Sequence, residues 1–547
     1  MKLIKKLAGQ TAIYGLSSVI GRLLNYLLVP LYTLTFTPEE YSIPTELYAY
    51  VAFLTIFLTY GIETSFFRHI EKEKNKHVVY STSLISLLIT SSLFLLIMFL
   101  FSPNIANFLK YGNNPEYIRF FALIVALDAI SSISFAKLRT EDKASRFALI
   151  KLAGIFTNIG LNLFFIVYCP YAVENDLHSK AFVNSIYNKN IGVGYIFIAN
   201  LVSSSIMILM LIPEMTKSIW IFNYDLWKRM MTYGLPLLIG GLAGITNETV
   251  DRILLKQVDQ PKTIYEDYTK KLHSTISKDK SLISGRDSII LSEIKRAGNK
   301  FDKQSKKAKN YIINQSKKAE TGIYGALYKL SILMILFIQS YRFAAEPFFF
   351  KNEKQKGSRK LYADVMKYFI IATSVIFLIV SLFYKEIVEV FIPSSQYYHE
   401  SGRETVCVLL LANLFLGIYY NLSIWYKLSE KTYYGAYLMI IGAIITITMN
   451  FTLIPKLGFL ASAWATLFCY VSMCLASYYL GQKHYRIPYS KDRILFYLTF
   501  MLSLFLISFS WELSTLFNIS FVALFIFVAY ILEKPKKTLI SSPELFD

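Results

Sequence analysis

The chain has 547 residues, of which 54% are apolar, 16% aromatic and 17% charged, with a mean hydropathy of +0.42. Charged residues make up about 25% of an ordinary soluble domain, so the composition excludes one and points to a polytopic membrane protein. Lys and Arg outnumber Asp and Glu by 57 to 37, a net charge of +20, but the excess lies in short segments between apolar runs, which excludes a nucleic-acid binder read from charge alone.

A helix that crosses about 30 Å of hydrocarbon needs roughly 20 mostly apolar residues. Fourteen segments meet that test, near 9–34, 44–67, 78–101, 116–137, 147–168, 191–213, 229–255, 321–348, 363–384, 403–427, 433–454, 459–480, 493–512 and 515–532. The first is a span and not a signal peptide, since it is too long, carries Arg22 and Asn25, and has no small-residue cleavage site before Pro30. Lys and Arg gather in alternate short loops, such as Arg68 to Lys76, Lys137 to Arg146, Lys351 to Lys360 and Lys483 to Arg493. The positive-inside rule then places both termini in the cytoplasm. The expected fold class is all-α, with about fourteen transmembrane helices in two pseudo-symmetric lobes.

One segment breaks the pattern. Residues 256–320 hold 16 Lys or Arg against 8 Asp or Glu and no spanning run. This external insert is long enough to escape the positive-inside rule. Ser288 to Arg296 has the spacing of an amphipathic helix, so the insert reads as a solvated helical addition, or as a surface for anionic headgroups or polymer.

An internal repeat locates that insert. Tyr14-Gly15-Leu16 with Ile20-Gly21 in the first span recurs 219 residues later as Tyr233-Gly234-Leu235 with Ile239-Gly240 in the seventh. Glu63 to Arg68 at the end of the second span recurs 283 residues later as Glu346 to Lys351 at the end of the eighth. The offsets differ by 283 − 219 = 64, which matches the insert length. The expected division is therefore a lobe over 1–228, a second over 229–480 interrupted by 256–320, and two added helices with a tail over 481–547.

An ionisable side chain deep in a bilayer costs roughly 2.5–3.5 kcal/mol on insertion scales and normally faces a cavity or a partner. The candidates for a substrate cavity are Arg22 and Asn25 in the first span, Asn247, Glu248, Asp251 and Arg252 in the seventh, and Lys329 and Arg342 in the eighth. Glu63, Asp128 and Glu346 are candidates for ion coupling or gating. Arg22 lies near mid-span with Asn25 on the same face, and is either a ligand contact or paired with Asp128 or Glu248. Arg342 and Glu346 have the i, i+4 spacing of a same-helix ion pair. Pro236, flanked by Gly234, Gly240, Gly241 and Gly244, marks a seventh helix able to bend as a gate.

The four cysteines show no metal or redox spacing, and no catalytic site or metal centre is expected. No G-x-x-x-x-G-K-[ST] run occurs, so no ATP cofactor of the P-loop kind is expected, and a proton or sodium gradient is the candidate energy source.

The strings Gly9 to Arg22, Pro30 to Thr33, Gly61 to Arg68, Asn247 to Lys256 and Gly322 to Lys329 make the chain similar to the bacterial oligosaccharide flippases of the Wzx type. These belong to the multidrug, oligosaccharidyl-lipid and polysaccharide (MOP) exporter superfamily, which also holds the lipid II flippase. The resemblance implies movement of an undecaprenyl-pyrophosphate-linked oligosaccharide from the inner to the outer leaflet of the bacterial inner membrane by alternating access. Its partners would be that glycolipid, membrane lipids and polysaccharide polymerase or assembly proteins, with no nucleic acid. It further implies a cationic cavity in which Arg22 meets the pyrophosphate. Family members generally have a short loop where this chain has its insert. The alternatives are a drug or metabolite exporter of the same superfamily, or a membrane O-antigen polymerase or ligase. An enzyme of that last kind would need external arginines, whereas the insert has only Arg286 and Arg296.

Overall fold

The computed structural model describes residues 21–534 except Arg22, Asn113, 279–286, Lys354, Lys356, Glu430 and Glu512, and leaves undescribed the side chains at 343, 344, 346, 347 and 350–352. Among the described residues every regular element is helical. The first half contains α1 (Val29–Thr35), α2 (Pro38–Thr59), α3 (Ile62–Ile70), α4 (Lys76–Leu100), α5 (Pro115–Thr140), α6 (Ala144–Asn162) and α7 (Gly194–Thr216). The second begins with α8 (Tyr224–Gln257), followed by α9 (Lys262–Lys278) and α10 (Ser288–Ala297) of the insert and by α11 (Lys306–Asn352). It continues with α12 (Ser358–Leu382), α13 (Gly402–Leu422), α14 (Tyr433–Leu457), α15 (Leu460–His484), α16 (Lys491–Trp511) and α17 (Thr515–Glu533).

Among the described residues twelve helices are long and apolar enough to cross a membrane, so this is a multi-pass membrane protein. The other two expected spans fall short for definable reasons. The first is described only in its last part, where Leu23–Thr35 is a short apolar helix. The seventh is the 34-residue α8, long enough to span but carrying Glu248, Asp251 and Arg252. Polar and ionisable groups, not a lack of length, lower its hydropathy.

The second span starts six residues before its expected position. Thr37, Pro38 and Glu40 form a capping box, with the Glu40 amide donating to Thr37 Oγ1 (3.3 Å) and the Thr37 amide donating to Glu40 Oε2 (2.9 Å). These bonds satisfy the free N–H groups of the first turn, and Pro38 brings a preset φ. The same span breaks at Tyr60 and Gly61, both left-handed at φ 34° and 73°, before α3 resumes.

The two halves pack their helices in corresponding ways. In the first, α4 lies on α5, α5 on α7 and α6 on α7; in the second, α12 lies on α13, α13 on α15 and α14 on α15. A Cβ on Gly21 would meet Ile155 of α6, and one on Gly240, which is 219 residues later, would meet Ala436 of α14. Helices α16 and α17 lie outside this pair of units and are tied to α12 where Lys367 Nζ meets Glu533 Oε2 at 2.6 Å. Leu495, Leu516, Phe527 and Tyr530 stand exposed on them, as a lipid-facing surface requires.

The insert departs from its expectation in one respect. Helix α11 starts at Lys306 and runs 47 residues, about 70 Å at 1.5 Å per residue, so the eighth span projects far beyond the hydrocarbon and forms part of the insert itself. Against this stem α9 and α10 bury a small core of Tyr265, Ile276, Leu291, Ile294, Phe301, Ala308 and Ile312. The amphipathic Ser288 to Arg296 segment thus turns its apolar face toward protein. The insert touches both halves: Tyr268 donates to Glu39 Oε1 (2.8 Å), Lys110 donates to Asn314 Oδ1 (3.0 Å), and Ile264 packs against Gly458.

Candidate inter-lobe cavity

Helices α2, α8 and α11 meet along the seam between the halves. At the insert end they approach closely enough that a Cβ on Gly322 would lie 1.9 Å from the carbonyl oxygen of Pro38, a contact available only to glycine. Below it α2 and α8 are joined by a buried ion pair, Lys256 Nζ to Glu46 Oε2 at 2.6 Å, with exposures of 3% and 0%. Tyr111 also donates to Glu46, and Lys256 also donates to the carbonyl of Leu109 (2.8 Å). Buried charges persist only when paired and hydrogen-bonded in this way.

Toward mid-molecule the seam widens into a cavity of about 430 Å³, within the roughly 300–1,000 Å³ usual for small-molecule sites. Its charged lining is Arg252, Lys329 and Glu248. Amides line it too, from Asn25, Asn158 and Asn200, along with the rings of Tyr26, Tyr32, Tyr41, Tyr48 and Tyr328. The Arg252 guanidinium lies 4.0 Å from the centre of the Tyr328 ring, which holds it by a cation–π contact. Tyr48 accepts from Asn200 Nδ2 (2.9 Å), and Tyr32 donates to Asn162 Oδ1 (2.9 Å), fixing two of the rings. Two cations against one carboxylate, among amides and phenols, form a wall able to bind an anionic group and the hydroxyls and ring faces of a sugar.

Four expected cavity residues line it: Asn25, Glu248, Arg252 and Lys329. Arg22, the leading candidate, lies outside the described residues. Asn247 and Asp251 are brought elsewhere. Asn247 is buried, with its amide donating to the carbonyl of Met439 on α14 (3.1 Å). Asp251 accepts from Tyr324 of α11 and from the backbone N–H of Arg252 (2.8 Å). The physical reason is angular: successive helical residues differ by about 100°, so Glu248 and Arg252, four apart, share the cavity face, while Asn247 and Asp251 share a face packed on protein. Arg342 is absent from the lining and stacks on Tyr420 at 3.9 Å, and its expected partner Glu346 has no described side chain. Of the coupling candidates, Glu63 pairs with Arg139 (3.3 Å), and Asp128 accepts from Ser204 (2.9 Å) inside the first half. The sequence reading missed Glu46 as the partner of Lys256, and missed Asn158 and Asn200. Both asparagines interrupt apolar runs, a signal the charged residues overshadowed.

Residues 35–175 match the model of the family described as "Polysaccharide biosynthesis protein". No curated protein matches the sequence. Among solved structures, "Lipid II flippase MurJ, inward closed conformation" superposes with a TM-score of 0.57 at 13% identity, covering 94% of this chain and 98% of that one. An inward-facing multidrug resistance MATE family transporter of the MOP superfamily superposes with a TM-score of 0.56 at 13% identity, covering 84% and 97%. Its outward-facing counterpart gives 0.52 at 14% identity, covering 87% and 95%. At such identities the likeness concerns the fold. The chain is thus similar over residues 35–175 to polysaccharide biosynthesis proteins, and over nearly its whole length it has the fold of the MATE transporters and of MurJ.

Proposed function

We propose that the protein is a flippase that carries an undecaprenyl-pyrophosphate-linked oligosaccharide from the inner to the outer leaflet of a bacterial cytoplasmic membrane. The observation that carries this reading is the inter-lobe cavity, where Arg252 and Lys329 stand among asparagines and tyrosines. A pyrophosphate entering the membrane loses its hydration and needs fixed cations, and a guanidinium supplies a charge with paired donors. The amides and phenols suit the sugar, and the lipid tail stays in the bilayer beside the cavity. Arg22 is proposed as a third cation on the same pathway. The energy source is proposed to be an ion gradient, with Glu63 and Asp128 as the groups to test.

The test is leaflet-resolved measurement of the lipid-linked oligosaccharide in cells lacking the protein, complemented with wild type, Arg22→Ala or Arg252→Gln/Lys329→Gln. Inner-leaflet accumulation is expected in the deletion and in the double variant at normal expression. Removing one charge-assisted contact costs about 1.5–3 kcal/mol, so each single variant should lose about ten- to a hundred-fold in substrate affinity. Normal outer-leaflet delivery without the protein, in a strain with no second flippase, overturns the reading. The MATE likeness favours drug export as the second reading, and drug sensitivity with normal surface glycan in the deletion would select it.

A further inference from the structure

The insert and the first half enclose a second cavity at the insert end, of about 390 Å³, which shares no lining residue with the first. Four lysines face it: Lys110 from the chain after Ser102–Phe108, Lys256 from the end of α8, and Lys317 and Lys318 from the stem of α11. Asp287 is the one carboxylate in the described lining.

Two of these lysines are already neutralised. Lys256 holds Glu46 at 2.6 Å, and Lys317 holds the exposed Asp259 at 2.8 Å. The other two are not: among the described residues, neither Lys110 nor Lys318 has a carboxylate within 4.0 Å. Lys110 donates to the neutral Asn314 Oδ1 (3.0 Å), and Lys318 faces the Tyr111 ring at 5.9 Å. Because Asn314 uses its oxygen on Lys110, its NH₂ remains a donor, whereas the Tyr311 hydroxyl in the same space is engaged by Asp287. The two unpaired lysines share one partly enclosed wall, where low-dielectric surroundings strengthen the field. An added anion relieves their repulsion. Several convergent N–H donors suit a ligand with three or more acceptor oxygens better than a lone carboxylate.

We propose that this pocket binds a phosphate-bearing anion, held by Lys110 and Lys318 with Asn314 as a neutral donor. The site is independent of the inter-lobe cavity and of what that cavity carries. Two sources supply such a group, an anionic lipid headgroup and a water-borne phosphate or pyrophosphate.

The experiment titrates inorganic pyrophosphate onto the full-length protein in nanodiscs of phosphatidylcholine, read by calorimetry and by melting temperature. Five forms are compared: wild type, Lys110→Gln/Lys318→Gln, Lys110→Arg/Lys318→Arg, Arg252→Gln/Lys329→Gln to silence the inter-lobe cations, and the two glutamine pairs combined. Saturable binding is expected to persist in Arg252→Gln/Lys329→Gln, to weaken at least tenfold when Lys110→Gln/Lys318→Gln is added to it, and to survive the arginine exchange. Because neither Lys110 nor Lys318 is ion-paired, the glutamine pair should fold normally, and the pyrophosphate-induced rise in melting temperature that remains in Arg252→Gln/Lys329→Gln should shrink when that pair is added. No saturable binding in the Arg252→Gln/Lys329→Gln form, or binding indifferent to Lys110→Gln/Lys318→Gln, overturns the proposal. Repeating the titration with phosphatidylglycerol in the discs separates the sources. Competition assigns the pocket to lipid headgroups, and unchanged affinity assigns it to a water-borne phosphate; either supports the site.

Discussion

The two ends of the seam between the halves are closed by opposite chemistry. At the insert end the contact is ionic and buried, Glu46 against Lys256, with Tyr111 donating to Glu46 and the Leu109 carbonyl accepting from Lys256, and the insert straps across it through Tyr268 and Glu39. At the other end it is small and nearly neutral. There Gly61 meets Gly234 backbone to backbone, Ser65 Oγ donates to the Met230 carbonyl (2.9 Å), Arg68 stacks on the Tyr233 ring (4.1 Å), and the ion pair of Arg229 with Glu73 (2.8 Å) is solvent-exposed. Parting a buried ion pair leaves two charges to be rehydrated, whereas parting two glycines forfeits only dispersion contacts. Under the proposed flippase function, alternating access would open both ends in turn, so water would reach Glu46 and Lys256 when the insert end opens, with no such requirement at the other end.

The contrast breaks most decisively at Glu46. Glu46→Gln leaves Lys256 as an unpaired buried cation and is expected to cost about 3–5 kcal/mol of stability, measured by denaturant or thermal unfolding in nanodiscs. Glu46→Gln/Lys256→Met removes both charges and is expected to recover most of that loss. A single substitution costing under about 1 kcal/mol, the range of exposed pairs, would show that the insert end is as wet as the other.

The glycine contact comes next. A Cβ at Gly61 would lie 2.5 Å from the carbonyl oxygen of Gly234, at a φ of 73°. Gly61→Ala should therefore cost about 1–3 kcal/mol in overpacking and left-handed strain. Gly160, in the interior of α6, has no atom within 4 Å of its would-be Cβ. Gly160→Ala is expected to gain about 0.5–1 kcal/mol from helix propensity, so opposite signs in one unfolding series identify a packing effect. The strap is weaker still, since its hydrogen bond is only partly buried. Tyr268→Phe should cost about 0.5–1.5 kcal/mol, read in the same unfolding series.

Length and apolar runs made the helical membrane architecture legible, and the polar residues of the seventh span stood out as a group, although the i, i+4 spacing that puts Glu248 and Arg252 on one face was not used to part them from Asn247 and Asp251. What stayed hidden depends on which face of a polar helix turns inward. Asn247 and Asp251 carry the same chemistry as their neighbours but face α14 and α11. Glu46 and Lys256 are 210 residues apart, and nothing in either segment announces the other. The early start of α2 was readable, because Thr37-Pro38-Glu39-Glu40 is a capping box in sequence, but polar residues at a helix start lower the hydropathy that finds spans. The stem of α11 was hidden for the same reason: its charged turns read as a loop although they continue a membrane helix.

The smallest effect concerns acid at the insert end. His399, in the connection before α13, packs edge-on against Phe459 at 4.6 Å, and its Nδ1 accepts the Ser401 backbone N–H at 3.1 Å. The ring proton must then sit on Nε2, which faces Glu320 Oε1 at 3.8 Å, too far for a strong bond. Burial lowers the His399 pKa below its ordinary 6.5, and the opposing pull of Glu400 and Asp267 is weaker. Since the unfolded chain takes up the proton at a higher pH than the folded one, His399 contributes stability that is fully present above about pH 6.5 and is lost as the pH falls toward the folded-state value. Melting temperatures followed from pH 7.5 downward should fall less steeply in His399→Gln than in wild type, by no more than the slope of one proton, about 1.4 kcal/mol per pH unit. Identical slopes would mean that His399 keeps its unfolded-state pKa in the fold, and only a shallower slope in wild type than in His399→Gln would mean that acid tightens the insert end.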